Sequence, residues 1–200
     1  MERIVRYGFL LCVVGFGILQ IDSDCMADIA STAKTPVKVT PLKKGDSAGA
    51  FYVTKVAGAE DDDVQVGQEL CYRCRYGSRP IVMVFARHTN GDVSKLMQQV
   101  DNAIENNKES QLRGLVTLLG DDVAQVKKDA QQIAEKTGVK HTPVVIAKEI
   151  VNGPANYKLS KTADVTVVIA SDSKVVSSTI YSAESIDVAA IMTEVNVFLK

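Results

Sequence analysis

The chain has no tryptophan, two histidines, four cysteines and five prolines in 200 residues, and aromatics make up 6% of it. So few aromatic faces supply no stacking platform for single-stranded nucleic acid. Basic and acidic side chains nearly balance, 23 against 24, for a formal charge of −1. No basic excess therefore draws the chain to nucleic acid or to an anionic membrane. Two histidines leave little material for a metal cluster. The sequence also lacks a Gly-x-Ser-x-Gly elbow, a His-Glu-x-x-His pair, a phosphate-binding glycine loop and a dinucleotide fingerprint. No internal repeat or low-complexity tract interrupts it.

What is there suits one globular domain with a short appendage: 46% of residues are hydrophobic and 24% charged. Glu2, Arg3 and Arg6 precede the uncharged, mostly apolar residues 7–21, and Asp22 and Asp24 close that run. This is the pattern of an export signal, too short for a comfortable membrane span. Residues 1–25 are read as the signal, cleaved somewhere within 22–33; left uncleaved, it would tether the protein to a membrane. Cys25 follows Asp22-Ser23-Asp24, which is not the run a lipoprotein signal needs. Residues 26–50 carry Pro36, Pro41 and several lysines without periodicity, and are read as a flexible linker. The expected location is periplasmic or extracellular, with no stable membrane span once the signal is cleaved.

From residue 51 onward, periodicity takes over. Phe51 to Val56 reads as a strand, and the three adjacent carboxylates Asp61, Asp62 and Asp63 as a solvated turn. Ile81 to Ala86 is an unbroken apolar run behind Pro80, expected for a strand buried on both faces. Val93, Leu96, Met97, Val100 and Ile104 form one helical stripe, with Asn90 or Asp92 as cap. Leu115 to Leu119 is a second buried strand. Asp121 and Asp122 then introduce a helix with Val123, Val126, Ala130 and Ile133 inward, stopped by Gly138. Pro143 to Ala147 is a third strand. Val165 to Ala170 and Val175 to Tyr181 flank a turn at 171–174 as an antiparallel hairpin. A last helix is expected from Ser182 or Ser185, with Val188, Ile191, Met192, Val195, Phe198 and Leu199 inward. Strand–helix alternation implies crossovers and a parallel centre, and the hairpin makes the sheet mixed.

The segments 66–70 and 77–82, leading by a loop into the first core strand, resemble the start of a redoxin domain. The hairpin 165–176 is similar to that of the same branch, with Asp172 matching its pattern. The chain thus resembles the thioredoxin-like superfamily, its redoxin or peroxiredoxin type, over residues 51–200. The resemblance implies an α/β three-layer sandwich: a central mixed sheet with helices on both faces. It also implies an active site just after the first core strand, where relatives carry Cys-Gly-Pro-Cys or Pro-x-x-x-Thr-x-x-Cys. Here that place reads Arg87-His88-Thr89-Asn90-Gly91-Asp92-Val93, without cysteine. Asn90 and Val93 stand where the two sulfurs would. Thr142-Pro143 has the look of the family's cis-proline; in the redoxin register, favoured because it accounts for the strands that follow, Pro143 instead begins a strand as a trans proline and the cis-proline position falls near Ala163-Asp164-Val165.

The cysteines of the domain are Cys71 and Cys74, and they precede the first core strand. In a parallel sheet the loops before and after a strand lie at opposite ends, so the pair is expected away from the usual catalytic end. Three readings stand open: a static disulfide, a redox pair, or half a metal site. A metal would need further ligands such as His88 and His141. Under the redox reading, Cys71 attacks, Cys74 resolves, and Arg73 and Arg75 favour the thiolate. No cofactor is implied, and the expected partner is a protein thiol or disulfide. The rival reading is a binding or scaffold domain that keeps the fold without catalysis.

Overall fold

The computed structural model describes residues 42–199. The expected signal 1–25 and the first part of the expected linker 26–50 lie outside the described residues. The covalent centre of interest is a five-residue helix, Tyr72–Tyr76 (α1). It stands between the short strands Val53–Ala57 (β1) and Glu69–Leu70 (β2) and the first core strand, Ile81–Ala86 (β3). All six residues of β3 are buried, as an unbroken apolar run requires. Its side chains alternate between two halves of the core. Val82, Val84 and Ala86 enter one; Ile81, Met83 and Phe85 enter the other.

Gly91–Asn106 (α2) leads from β3 to Arg113–Leu118 (β4), and Val123–Thr137 (α3) leads on to Val144–Ala147 (β5). The three strands run parallel. Stepping twice in the same direction with crossovers of one hand lays α2 and α3 on the same face. Val165–Ser171 (β6) and Lys174–Tyr181 (β7) form the hairpin, and β6 pairs antiparallel with β3. Asp172 and Ser173 take φ of 50° and 64° at its tip, the positive pair that a tight hairpin turn demands. The sheet has seven strands in the order β2-β1-β5-β4-β3-β6-β7.

The α/β sandwich with a mixed sheet is therefore as expected, but its two helical layers are unequal. Val188–Phe198 (α4) joins α2 and α3 over one face, where Leu96, Val100, Ala130, Ile133, Ile191 and Val195 share a core. The other face is covered by Tyr72 and Tyr76 of α1, by Phe51, and by Tyr157 of a 3-10 turn, Ala155–Tyr157. Phe51 and Phe85 lie 4.9 and 5.0 Å from the Tyr157 ring, so aromatic packing does the work of a helix there.

Several boundaries differ from the reading of the sequence. The last helix begins at Val188 behind Asp187, whose carboxylate accepts the Ala190 N–H; Ser182 and Ser185 instead bond each other. Residues 42–50, expected to end the linker, pack on the domain: Leu42 and Ala48 are buried, and Gly45, Asp46 and Ala48 exchange backbone hydrogen bonds with Ser173 and Val175. No cis peptide occurs among the described residues, and Pro143 stands just ahead of β5, in the redoxin register.

The loop before β5 is fixed by Asp101 of α2, a buried carboxylate that accepts the N–H groups of Lys140, His141 and Thr142 at 3.0, 2.9 and 2.8 Å. Gly58 approaches the same loop so closely that any Cβ would overlap the Thr142 carbonyl, and its φ of 71° suits glycine alone. Replacing Asp101 by Ala strands donors beneath the surface. Urea unfolding of Asp101→Ala should show a loss of about 2–3 kcal/mol; a change within a few tenths would mean that water replaces the carboxylate.

Candidate functional site

Cys71 and Cys74 are joined in a disulfide, their Cα atoms 5.3 Å apart. Cys71 is the N-cap of α1, extended in backbone, and its sulfur accepts the Cys74 N–H at 3.1 Å. The two sulfurs meet different surroundings: Cys71 is 9% exposed, whereas Cys74 faces solvent. The helix ends at Gly77, which takes a φ of 63° and returns its N–H to the Cys74 carbonyl.

So short a helix has little stability of its own, and its position comes from its side chains. Tyr72 and Tyr76, four apart, point to one side into the core with ring centroids 5.5 Å apart. The Tyr72 hydroxyl donates to Asp62 Oδ2 at 2.5 Å. Asp62 Oδ1 meets the Lys55 ammonium at 2.6 Å, and that ammonium also donates to the Ala59 and Val64 carbonyls. Lys55 is 3% exposed and therefore needs these partners. The triple-aspartate loop is thus not a uniform solvated turn. Asp61 and Asp63 are open to water, while Asp62 is a part-buried clamp.

The arginines also have structural work. Arg73 is buried and donates to the Ala48 and Gly77 carbonyls. Arg75 donates to the Asp62 carbonyl at 2.7 Å. Among the described residues neither guanidinium hydrogen-bonds a sulfur; the Cys74 N–H alone does so. Burial comes first in pushing the Tyr72 phenol far above its usual range, reinforced by the hydrogen bond to Asp62 and by its charge. Burial and then the Asp62 charge push Tyr76 up as well.

The helix α1 feeds β3, and Arg113 of β4 lies over the Tyr76 ring at 5.9 Å. The sulfurs therefore sit at the sheet edge where the parallel strands begin. At the other edge, Asn90 caps α2 by accepting the Val93 N–H at 3.1 Å, so the two positions that replace sulfurs bond each other. His88 lies 3.2 Å from Asp164. His141 is at the opposite end from His88, between Asp61 and Glu105. Among the described residues no group of three His, Cys, Asp or Glu is placed to hold a metal ion, and no helix is long and apolar enough to cross a membrane.

The clamp of Lys55, Asp62 and Tyr72 escaped the sequence reading. Its one visible signal was a lysine inside the apolar strand 51–56.

No family model and no curated protein sequence matches the chain. Solved structures do match in shape. The thioredoxin domain of a thiol-disulfide oxidoreductase from Bacteroides vulgatus has a TM-score of 0.58 at 10% identity, covering 80% of this chain and 99% of that one. AhpC from Mycobacterium tuberculosis has a TM-score of 0.58 at 11% identity, covering 80% of this chain and 100% of that one. A thiol:disulfide interchange protein from a Bacteroides species has a TM-score of 0.54 at 10% identity, covering 78% and 91%. The fold is thioredoxin-like.

Tyr72, Tyr76 and Tyr157 all have phenol pKa values raised by burial in the folded chain. An unfolded tyrosine ionises near pH 10, so the stability these groups confer is complete below that pH and lost as pH rises through their folded values. Urea midpoints should hold between about pH 7 and 9 and fall from about pH 10 upward, less steeply in Tyr72→Phe than in the wild type. Parallel curves would exclude Tyr72 as a contributor.

Proposed function

We propose that this domain is a thiol–disulfide exchange protein whose working pair is Cys71 and Cys74. The observation that carries the reading is the asymmetry of the pair: one sulfur open to solvent, the other nearly buried and hydrogen-bonded to a backbone N–H. A partner thiolate meets Cys74 first. Attack forms a bond to the Cys74 sulfur and breaks the Cys71–Cys74 bond, and Cys71 leaves as a thiolate that accepts the Cys74 N–H. Arg73 and Arg75, on the same helix, add positive potential around that thiolate. A second thiolate then attacks the partner's sulfur in the mixed disulfide and releases Cys74. The sum is two partner thiols oxidised to one disulfide and one domain disulfide reduced to two thiols. Exposure thus favours the reverse of the order expected from sequence, where Cys71 attacks.

Shape likeness to oxidoreductases at 10–11% identity is consistent with this reading and does not carry it. The charged start and apolar run at 1–25 support export to the periplasm or beyond, where a disulfide persists. Protein thiols or disulfides are the proposed partners.

A second reading has one observation in its favour. The sheet edge that relatives use carries a self-satisfied cap, Asn90 to Val93, as in a domain kept for binding alone. Alkylation separates the two. After mild reduction Cys74 should label rapidly and Cys71 at least about tenfold more slowly, in proportion to access. Cys71→Ser should trap mixed disulfides on Cys74, and Cys71→Ser/Cys74→Ser should lose insulin reduction. Insulin reduction equal in the wild type and the double variant would leave the binding reading.

A further inference from the structure

A recess of about 220 Å³ opens beside α1, at the same sheet edge as the disulfide. Arg75, Arg79 and Arg113 line it together with Asp61, Asp62, Asp63 and His141. Asp61 faces His141 at 3.8 Å and Asp63 faces Arg75 at 4.0 Å, whereas two of the guanidinium groups have no ionic partner among the described residues. Arg79 gives only its Nε–H, to Gln111 at 2.9 Å, which leaves both terminal amino groups. Arg113 lies over the Tyr76 ring at 5.9 Å, and among the described residues it has no salt bridge or side-chain hydrogen bond. Asp63 is 95% exposed and 4.0 Å from Arg75, and Asp61 is 73% exposed. The third aspartate, Asp62, is already consumed by Lys55 and Tyr72.

Guanidinium forks select carboxylates. A recess that presents both guanidinium and carboxylate groups disfavours both a polyanion and a polycation, and it suits a molecule that carries both charges on a small frame. Cys74 immediately precedes Arg75, and consecutive Cα atoms are about 3.8 Å apart. The exposed Cys74 is thus the chain neighbour of a residue that lines the recess. We infer that the recess recognises a small zwitterionic peptide thiol, its carboxylates on Arg79 and Arg113 and its ammonium on Asp61 and Asp63, as the electron donor to the Cys71–Cys74 disulfide. This rests on the exchange reading. Two such thiols supply the two electrons, leave as one disulfide, and their two protons end on Cys71 and Cys74.

The test is reduction of the oxidised full-length chain by reduced glutathione, by neutral 2-mercaptoethanol and by cationic cysteamine, with rates compared at equal thiolate concentration. Glutathione should exceed 2-mercaptoethanol by about tenfold, an advantage that shrinks in about 0.5 M salt. Cysteamine, lacking a carboxylate, should gain no such advantage. In Arg79→Gln/Arg113→Gln the ratio of glutathione to 2-mercaptoethanol should fall to about one. The ratio is read within each variant, so a general change in reactivity cancels, and Arg79→Gln alone should show part of the fall. A ratio near one in the wild type, or one that survives both substitutions, overturns the inference and leaves exchange standing. Failure of all three thiols to reduce the disulfide overturns the exchange reading, and this inference with it.

Discussion

One part-buried carboxylate ties the disulfide-bearing helix to the sheet. Asp62 receives the Lys55 ammonium on one oxygen and the Tyr72 hydroxyl on the other, while its own carbonyl receives Arg75. Through it β1, the loop after β1 and α1 become a single unit. Without that anchor the Lys55 charge would be buried without a counter-charge, which is among the costlier defects a fold can carry. A five-residue helix cannot hold two sulfurs in place by its own hydrogen bonds. It does so here because a tyrosine at its start and another at its end are seated in the aromatic half of the core.

That arrangement follows from the polarity of the sheet. The strands β3, β4 and β5 run the same way, so whatever precedes them gathers at one edge and whatever follows gathers at the other. The sulfurs, Arg79, Arg113 and His141 belong to the first edge; His88, Asn90 and Asp164 belong to the second. On the second edge Asn90 caps its helix, and Asp164 accepts the Ala183 N–H and faces His88. The first edge keeps an open sulfur and unpaired guanidinium groups. Chemistry on a shared fold resides in side chains rather than in topology, and the cysteine pair stands at the edge where the parallel strands begin.

Long elements were legible before any coordinates, because each carries its own repeating signal. The run 81–86 is β3 to the residue, Asn90 caps α2, and Asp122 and Gly138 bound α3. Short elements were not: β2 has two residues and α1 five, fewer than a period needs to show itself. The start of the last helix was missed for a related reason. Ser182, Ser185 and Asp187 are all able caps, and only the packing of Ile191 and Val195 on α2 selects Asp187. The stretch 42–50 has the composition of a tether, yet pairing with the tip of the hairpin anchors it.

By itself the sequence determined the α/β class, the order of the strands along the chain, and the fact that the cysteine pair precedes the first core strand. Periodicity and chain order are local properties, readable one window at a time. Only the tertiary structure decided which sulfur faces water, which of three neighbouring aspartates becomes a part-buried anchor, and that Arg73 spends its guanidinium on backbone carbonyls. Exposure and partnership are set by residues distant in sequence, as Ala48 is from Arg73 and Gly114 is from Tyr76. No window along the chain contains both members of such a pair.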